Sequence, residues 1–372
     1  MMPGTALQTE HAVKHARLMQ VVHDLGGDAV VLSTPASLSW YLGGARTHVS
    51  LAGAPIARVV VHAAGCDIAT SISEAGRLCS EELTGLDSAR LHVLDWHASL
   101  DEISAWFTAP EGFTVLDETS LEPQLRALRT RLCPAEIQRY RQLCADTARV
   151  FTDVLSRARA SDSEHLLASK LVAGATAQGG EVVVALVSGE SRAAHRHPLP
   201  TDASLGRRAM AVLCVRRHGL IANVTRWIRF GAPLPGEEQG DADILAVEAD
   251  ILAGITLGST LGSLLPTVQQ AYPDHGFDSQ EWSNHHQGGL AGYNGRDPRL
   301  SPGAPDVFQQ DQAFAFNPSA VRDSLTYKVE DTMLLTHDGE HQRIEVLSVD
   351  PRWPSVNING LPRPQVLQLP GD

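Results

Sequence analysis

Residues 285–297 read HHQGGLAGYNGRD, and this stretch decides the fold. Two adjacent histidines, His285 and His286, precede a glycine-rich run, and Tyr293 and Arg296 follow it. Glycine has no β-carbon, so such a loop lets the backbone approach a ligand closely. Histidine titrates near neutral pH and can therefore carry a proton. The stretch predicts a loop that lines a functional pocket.

Four other short segments carry polar side chains in a fixed order around this loop. They are residues 187–198 with His195 and His197, residues 212–226 (VLCVRRHGLIANVTR) with Asn223 and Arg226, residues 315–318 with Asn317, and residues 328–332 (KVEDT) with Glu330. Residues 39–46 (SWYLGGAR), which end in Arg46, form a further segment near the N-terminus. Each segment is a weak signal alone, and their order along one chain makes the combination specific.

Together these segments resemble those of the Xaa-Pro aminopeptidase, prolidase and creatinase superfamily. The resemblance implies an α+β fold, with a C-terminal pita-bread domain built on a curved antiparallel sheet over residues 131–372. It also implies a smaller α/β domain of the creatinase N-terminal type over residues 1–130. A homodimer is expected from the resemblance alone.

The spacing of apolar residues is consistent with two domains. Before residue 130, short strands alternate with helical stretches, a pattern typical of α/β domains. The predicted strands are residues 29–32, 58–62, 91–94 and 113–116, and the predicted helices include 11–25, 71–83 and 100–107. After residue 130, two helices at 134–159 and 161–178 precede longer strands joined partly by hairpins. Those strands are 181–186, 209–215, 225–230, 312–316 and 332–335, with helices at 241–254 and 261–272 between them.

The resemblance also implies which positions would hold the two metal ions of a peptidase. They are Val212, Asn223, Gly289, Asn317 and Glu330, of which only Glu330 is a carboxylate. Two neutral amides do not supply the charge that offsets the desolvation of a divalent ion. A shifted alignment that used a loop histidine would still leave the ligand set incomplete. We therefore predict no metal and no other cofactor, and we exclude a dinuclear metallopeptidase.

The composition and charge of the chain exclude some classes of binding partner. The chain of 372 residues has a formal net charge of −13, and no segment concentrates lysine and arginine, so no nucleic-acid partner is expected. No apolar run reaches the length of a membrane span, and the first residues lack the apolar core of a signal peptide. The five cysteines are scattered, which favours reduced thiols. We expect a cytoplasmic protein with no membrane partner.

Two functions that need no metal occur among the relatives implied by the resemblance. Creatinase hydrolyses a C–N bond with a histidine as acid and base, whereas histone-chaperone relatives only bind protein. Our leading hypothesis is a metal-independent, creatinase-like enzyme acting on a small polar molecule, in a specialised pathway. It would be a hydrolase of a C–N bond, or a lyase or cyclase that transfers a proton. The alternative is a catalytically dead pseudo-peptidase that serves as a binding or scaffold module.

The candidate residues fall into two groups. The proposed catalytic residues are His195, His197, His285, His286 and Glu330. The proposed substrate-binding residues are Arg46, Asn223, Arg226, Tyr293, Arg296 and Asn317. Structural roles are open for several of them, because Arg226 could pair with Glu330, Asn223 could bond Asn317, and Arg46 could form a surface ion pair.

Overall fold

The computed structural model describes residues 4–86 and 89–371, with side chains from residue 8 onward. The outermost ends of the two predicted domains, residues 1–3 and 372, lie outside the described residues. The chain separates into two compact units by its internal contacts. The first unit is Met1–Glu136 with His218–Leu220, and the second is Ile137–Arg217 with Ile221–Asp372.

The first unit contains one five-stranded mixed sheet in the order β4-β3-β2-β1-β5. Its strands are β1 (Ala29–Leu32), β2 (Ala57–His62), β3 (Gly65–Ser71), β4 (Ala89–Leu94) and β5 (Val115–Asp117). Its helices are α1 (Gly4–Asp24), α2 (Pro35–Tyr41), α3 (Ile72–Arg77) and α4 (Glu122–Thr130). Helix α2 begins at a threonine cap, since the side chain of Thr34 accepts a hydrogen bond from Ser37 N.

Two predictions for the first unit need correction. Residues 100–107 form only a short helical turn at Ile103–Ala105, because Trp106 and Phe107 pack onto the sheet and end it. The strands also do not simply alternate with helices, since β2 and β3 form an antiparallel hairpin that the sequence pattern did not reveal. Strand β1 matches its predicted bounds, because a short apolar run buried on both faces is a clear strand signal.

The second unit carries the remaining elements. Its helices are α5 (Pro134–Leu155), α6 (Glu164–Ala177), α7 (Glu237–Ala253) and α8 (Leu265–Asp274). Its longer strands are β6 (Glu181–Ser188), β7 (Arg208–Arg217), β8 (Leu220–Phe230), β10 (Gln312–Phe316), β13 (Met333–His337) and β14 (Gln342–Val346). The shorter strands are β9 (Gly288–Leu290), β11 (Ser319–Arg322), β12 (Leu325–Lys328), β15 (Ser355–Ile358), β16 (Leu361–Pro364) and β17 (Leu367–Leu369).

Two four-stranded sheets of the second unit position its polar side chains. One has the order β17-β8-β7-β6 and the other β14-β13-β10-β9. An isolated bridge between Thr225 and Glu330 joins β8 to the segment after β12. Helices α7 and α8 pack with the second sheet around an apolar core that includes Val247, Val268 and Phe314. The chain is thus α+β, as the sequence predicts, and none of the helices that the structure describes is long and apolar enough to cross a bilayer.

Candidate functional site

A cavity of about 890 Å³ lies in the second unit, between β6, β7, β8 and the glycine-rich loop. Its walls are formed by Val184, Leu186, His197, Val212, Cys214, Asn223, His286, Asn294, Gly295, Arg296, Pro298, Arg299, Ser301, Asn317, Lys328 and Glu330. One wall follows from strand register. In the β6–β7 pair, Leu186 lies opposite Val212 and Val184 opposite Cys214, so alternate residues of both strands face the cavity. Six of the predicted site residues meet here: His197, Asn223, His286, Arg296, Asn317 and Glu330.

Both carboxylate oxygens of Glu330 accept hydrogen bonds from neighbouring side chains. Arg296 Nη2 donates to its Oε1 at 2.5 Å, and Thr225 Oγ1 donates to its Oε2 at 2.7 Å. Burial alone would raise the pKa of Glu330, but Arg296, Lys328 and Thr225 outweigh burial and lower that pKa. Glu330 is therefore a paired carboxylate at neutral pH, and this pairing does not support the catalytic role predicted for it from the sequence.

Arg226 lies outside the cavity, which corrects its predicted role in substrate binding. Its Nη2 donates to Asp331 Oδ1 and to Ser348 O, each at 2.8 Å. Successive residues of a strand point to opposite faces, so Arg226 turns away from the side on which Thr225 meets the Glu330 carboxylate. The predicted partner was one residue off, because Asp331 and not Glu330 forms the ion pair with Arg226. These contacts fit the structural role that the sequence left open for Arg226.

Three histidines form a compact cluster at one side of the cavity. His197 Nε2 and His285 Nε2 lie 3.0 Å apart, and the rings of His285 and His286 stack with centroids 4.3 Å apart. His197 and His286 line the cavity, whereas His285 is buried behind them. His195 is exposed and belongs to neither the cluster nor the cavity wall, so a direct role for it finds no support.

The cluster is held neutral by its surroundings. Burial, followed by the charge of Lys328, lowers the pKa of His285 to about 2. Burial, followed by Arg296 and Arg299, lowers the pKa of His286 to about 4. Burial and Lys328 also lower the pKa of His197, although Glu330 opposes them. The three imidazoles are therefore unprotonated near neutral pH.

The same neutral imidazoles could act as ligands for a single metal ion. One ring nitrogen from each of His197, His285 and His286 falls within 4.8 Å of the others. Three histidines are a known ligand set for zinc and related ions. The nearby cations Lys328 and Arg299, however, repel a divalent ion through the same field that lowers the histidine pKa values.

A dinuclear centre does not fit the residues present. Val212, Asn223, Asn317 and Glu330 do converge on the cavity, at the positions that the sequence pattern assigned to metal ligands. They offer one carboxylate, and both of its oxygens already accept hydrogen bonds. At Gly289, a β-carbon would lie 2.2 Å from Pro298 O, so the backbone leaves no room for a histidine side chain.

The two asparagines do not bond each other in the way suggested by the sequence. Asn223 Nδ2 donates to Ile221 O at 3.2 Å, and its backbone N–H donates to Thr332 Oγ1 at 2.7 Å. Asn317 Oδ1 is buried and has no hydrogen-bond donor within the part of the chain that the structure describes. An unsatisfied buried acceptor in a cavity wall is a natural contact for a donor group on a ligand.

Two further predicted residues do not reach the cavity. Tyr293 is buried but is not part of the cavity wall. Arg46 belongs to the first unit, where its side chain is half-exposed and forms an ion pair with Glu82 at 2.5 Å. The contacts of Arg46 fit the surface ion pair that the sequence left open as its structural role.

The sequence interpretation missed Lys328 and Arg299. Lys328 ends β12, is buried, and lines the cavity two residues before Glu330. Side chains two apart on an extended segment share a face, so the KVEDT segment contained a signal that could have identified Lys328. Arg299 follows the glycine-rich loop, and nothing in its local sequence distinguishes it from a surface arginine.

Comparison with known proteins rests on structure, because no protein-family profile and no curated protein sequence matches the chain. A prolidase from Pyrococcus horikoshii superposes with a TM-score of 0.72 at 16% identity, covering 90% of this chain and 98% of that one. The dipeptidase PepE of Mycobacterium ulcerans gives a TM-score of 0.74 at 16% identity, covering 98% and 99%. The fold is that of the prolidases.

The prolidase fold is not confined to peptidases among the similar structures. The N-terminal domain of a FACT complex subunit from chickpea, Cicer arietinum, superposes with a TM-score of 0.67 at 12% identity and covers 94% of this chain and 97% of that one. Identities this low establish the architecture of the chain, and the chemistry of the cavity has to be argued from its own residues.

Proposed function

We propose that this protein is an enzyme that binds a small anionic molecule in the cavity of its second unit and moves a proton without a bound metal ion. The observation that carries the proposal is the His197–His285 pair, with Nε2 atoms 3.0 Å apart, of which His197 lines the cavity. A base that is oriented by a second, buried group is the usual arrangement for acid/base catalysis.

The charges around the cavity favour an anionic ligand. Arg296, Arg299 and Lys328 line the walls, and Glu330 is the one carboxylate among the described lining residues. Since Glu330 is one carboxylate against three cations, it cannot offset the positive charge of all of them. A carboxylate or phosphate on the substrate would provide that offset, because guanidinium and ammonium groups bind such oxyanions through charge-assisted hydrogen bonds.

His197 is the group proposed to take the proton. It is the most exposed member of the cluster, and its lowered pKa keeps it in the basic form near neutral pH. His285, buried behind it, fixes the orientation of the ring through the Nε2–Nε2 hydrogen bond. A base in this position suits removal of a proton from the substrate or from an attacking water, as in C–N bond hydrolysis, elimination or cyclisation.

The shape of the cavity supports an enzyme over a scaffold that only binds protein. A scaffold has no need to keep a cavity, and its walls would be expected to fill with apolar side chains. Here a cavity of about 890 Å³ is present, and Asn317 Oδ1 is left unsatisfied in its wall.

The test uses the whole chain after exhaustive chelation. A panel of small carboxylates and phosphates is screened by thermal shift, and ligands that stabilise the protein are followed by mass spectrometry for turnover. We expect turnover that survives chelation and falls at least about 100-fold in His197→Ala, the usual contribution of a general base. His195→Ala is the matched control, because His195 is exposed and lies in the same loop outside the cavity wall.

Activity that disappears on chelation and returns with manganese would contradict metal independence. An unchanged rate in His197→Ala would remove His197 as the base.

A further inference from the structure

Lysine is rare in this chain, and its three lysines have three different environments. The sequence contains Lys14, Lys170 and Lys328, and every other basic side chain except histidine is an arginine. Lys14 is buried in the first unit and bonds Glu10 at 2.6 Å and Glu136 at 2.8 Å. Lys170 is exposed on α6. Lys328 alone among them lines the cavity.

The Lys328 ammonium lacks the ion-pair partner that a buried lysine normally requires. Its nearest carboxylate along the chain is Glu330, whose two oxygens accept from Arg296 and Thr225. Among the described residues, none accepts a hydrogen bond from Lys328 Nζ. The side chain is only 6% exposed, so water does not fully replace the missing partner.

This environment makes the Lys328 ammonium give up its proton more readily than an exposed lysine does, so that it can become an uncharged amine when a carbonyl compound binds. Lys328 is only 6% exposed and shares the cavity wall with Arg296 and Arg299. Both oxygens of Glu330 accept hydrogen bonds from other residues. An amine in an apolar wall beside another cation is the arrangement that makes lysine a nucleophile, because only the uncharged form has a free electron pair. Val212 and Cys214 supply the apolar part of that wall.

We propose that Lys328 is a catalytic lysine that forms an imine with a small oxo acid. The inference rests on the function proposed above and specifies its substrate class. The buried amine of Lys328 reacts with the carbonyl group of the oxo acid. Arg299, which lines the same cavity, binds its carboxylate. One small molecule then satisfies both groups.

Imine formation needs neither an oxidant nor a reductant. The Lys328 nitrogen attacks the carbonyl carbon, the new C–N bond forms, and the carbonyl oxygen leaves as water after taking up two protons. One of those protons comes from the attacking amine and the other from solvent. The resulting iminium withdraws electrons from the adjacent carbon, so a base such as His197 can then remove a proton from it.

Borohydride trapping tests the imine directly. The whole protein is incubated with glyoxylate, the smallest oxo acid, or with pyruvate, then reduced with sodium borohydride and analysed by intact mass and peptide mapping. We expect one reduced adduct per chain, located on Lys328. Lys328→Arg should lose the adduct, whereas Lys170→Arg should keep it and serves as the matched control.

Circular dichroism and thermal unfolding of both variants establish that they are folded. Absence of a Lys328 adduct with glyoxylate in the folded wild-type protein would overturn the imine, as would equal labelling of Lys170 and Lys328.

Calorimetry separates failure of the imine from failure of the proposed function. Binding of pyruvate that is weakened by Arg299→Ala, without any trapped adduct, would refute the imine and leave an anion-binding cavity intact. Absence of both binding and adduct, together with no anion from the panel stabilising the protein, would refute both proposals.

Discussion

Arg296 Nη2 lies 2.5 Å from Glu330 Oε1 in the wall of the cavity, and both side chains are less than a tenth exposed. In a two-metal site of this fold, the position of Glu330 would hold a metal ion, as the sequence resemblance implies. Here a guanidinium takes the place of the ion as the positive partner of that carboxylate. The pair explains how one surviving acidic residue remains buried and charged, and it leaves Lys328 without an acceptor.

Breaking this pair should be strongly destabilising. Arg296→Met leaves the Glu330 carboxylate buried without its main cation, which costs about 3–5 kcal/mol in comparable pairs. Urea unfolding measures the change. The double variant Arg296→Met with Glu330→Gln removes the buried charge as well, so it should recover much of the loss. Equal stability of the single and double variants would contradict an energetically coupled pair.

The glycine-rich loop should not accept a side chain at Gly289. Its φ is +153°, and a β-carbon there would lie 2.2 Å from Pro298 O. We expect Gly289→Ala to lower the free energy of unfolding by about 2 kcal/mol or more, as overpacking and backbone strain together usually do. Gly292→Ala is the control, because its φ is +150° with no atom within 4 Å of the added carbon. Similar losses for both variants would show that the clash is relieved at low cost.

The pH dependence of the free energy of unfolding at acid pH should reveal the lowered pKa of Glu237. Burial would raise the pKa of this residue, but hydrogen bonds from Arg208, Leu234 N–H and Arg207 lower it from 4.5 to about 2. Because the folded-state pKa lies below the ordinary value, the stabilisation is complete above about pH 4.5 and is lost as the pH falls toward 2.

Glu237→Gln should therefore be less stable than wild type at pH 7, with the difference shrinking as the pH falls through that window. Unfolding curves at several pH values measure it. Glu238→Gln, at an exposed neighbouring position, should show little difference at any pH. A gap between Glu237→Gln and wild type that stays constant down to pH 2 would contradict the lowered pKa.

Metal binding should be weak at the histidine cluster. Three ring nitrogens within 4.8 Å could coordinate an ion, but Lys328, Arg296 and Arg299 oppose a second positive charge. We expect calorimetric titration of the chelated protein with Zn²⁺ and Mn²⁺ to give no stoichiometric binding and no rise in melting temperature. Tight binding of one Zn²⁺ per chain that is abolished in His285→Ala would instead make the cluster a metal site.

Much of the fold was accessible from sequence because its signals are local. The apolar run of β1 and the capping serine before α6 indicate a strand and a helix start whatever the rest of the chain contributes. Strand β3 and helix α2 were missed, since neither has a strong period or length of its own. Residues 100–107 look helical in isolation, but packing of Trp106 against the sheet decides their conformation.

The features of the candidate site were also predictable from the sequence only in part. The sequence by itself determined the residue types, and therefore that the two-metal centre implied by the resemblance keeps only one carboxylate, Glu330, with a valine, a glycine and two asparagines at the other ligand positions. Only the tertiary structure decided which of these side chains share a cavity. The position of Arg226 on β8 directs its side chain to Asp331. The bridge between Thr225 and Glu330 places the Glu330 carboxylate beside Arg296. The physical reason is that charge and hydrogen-bonding capacity belong to a residue, whereas burial and partners depend on distant segments that meet only in the folded chain.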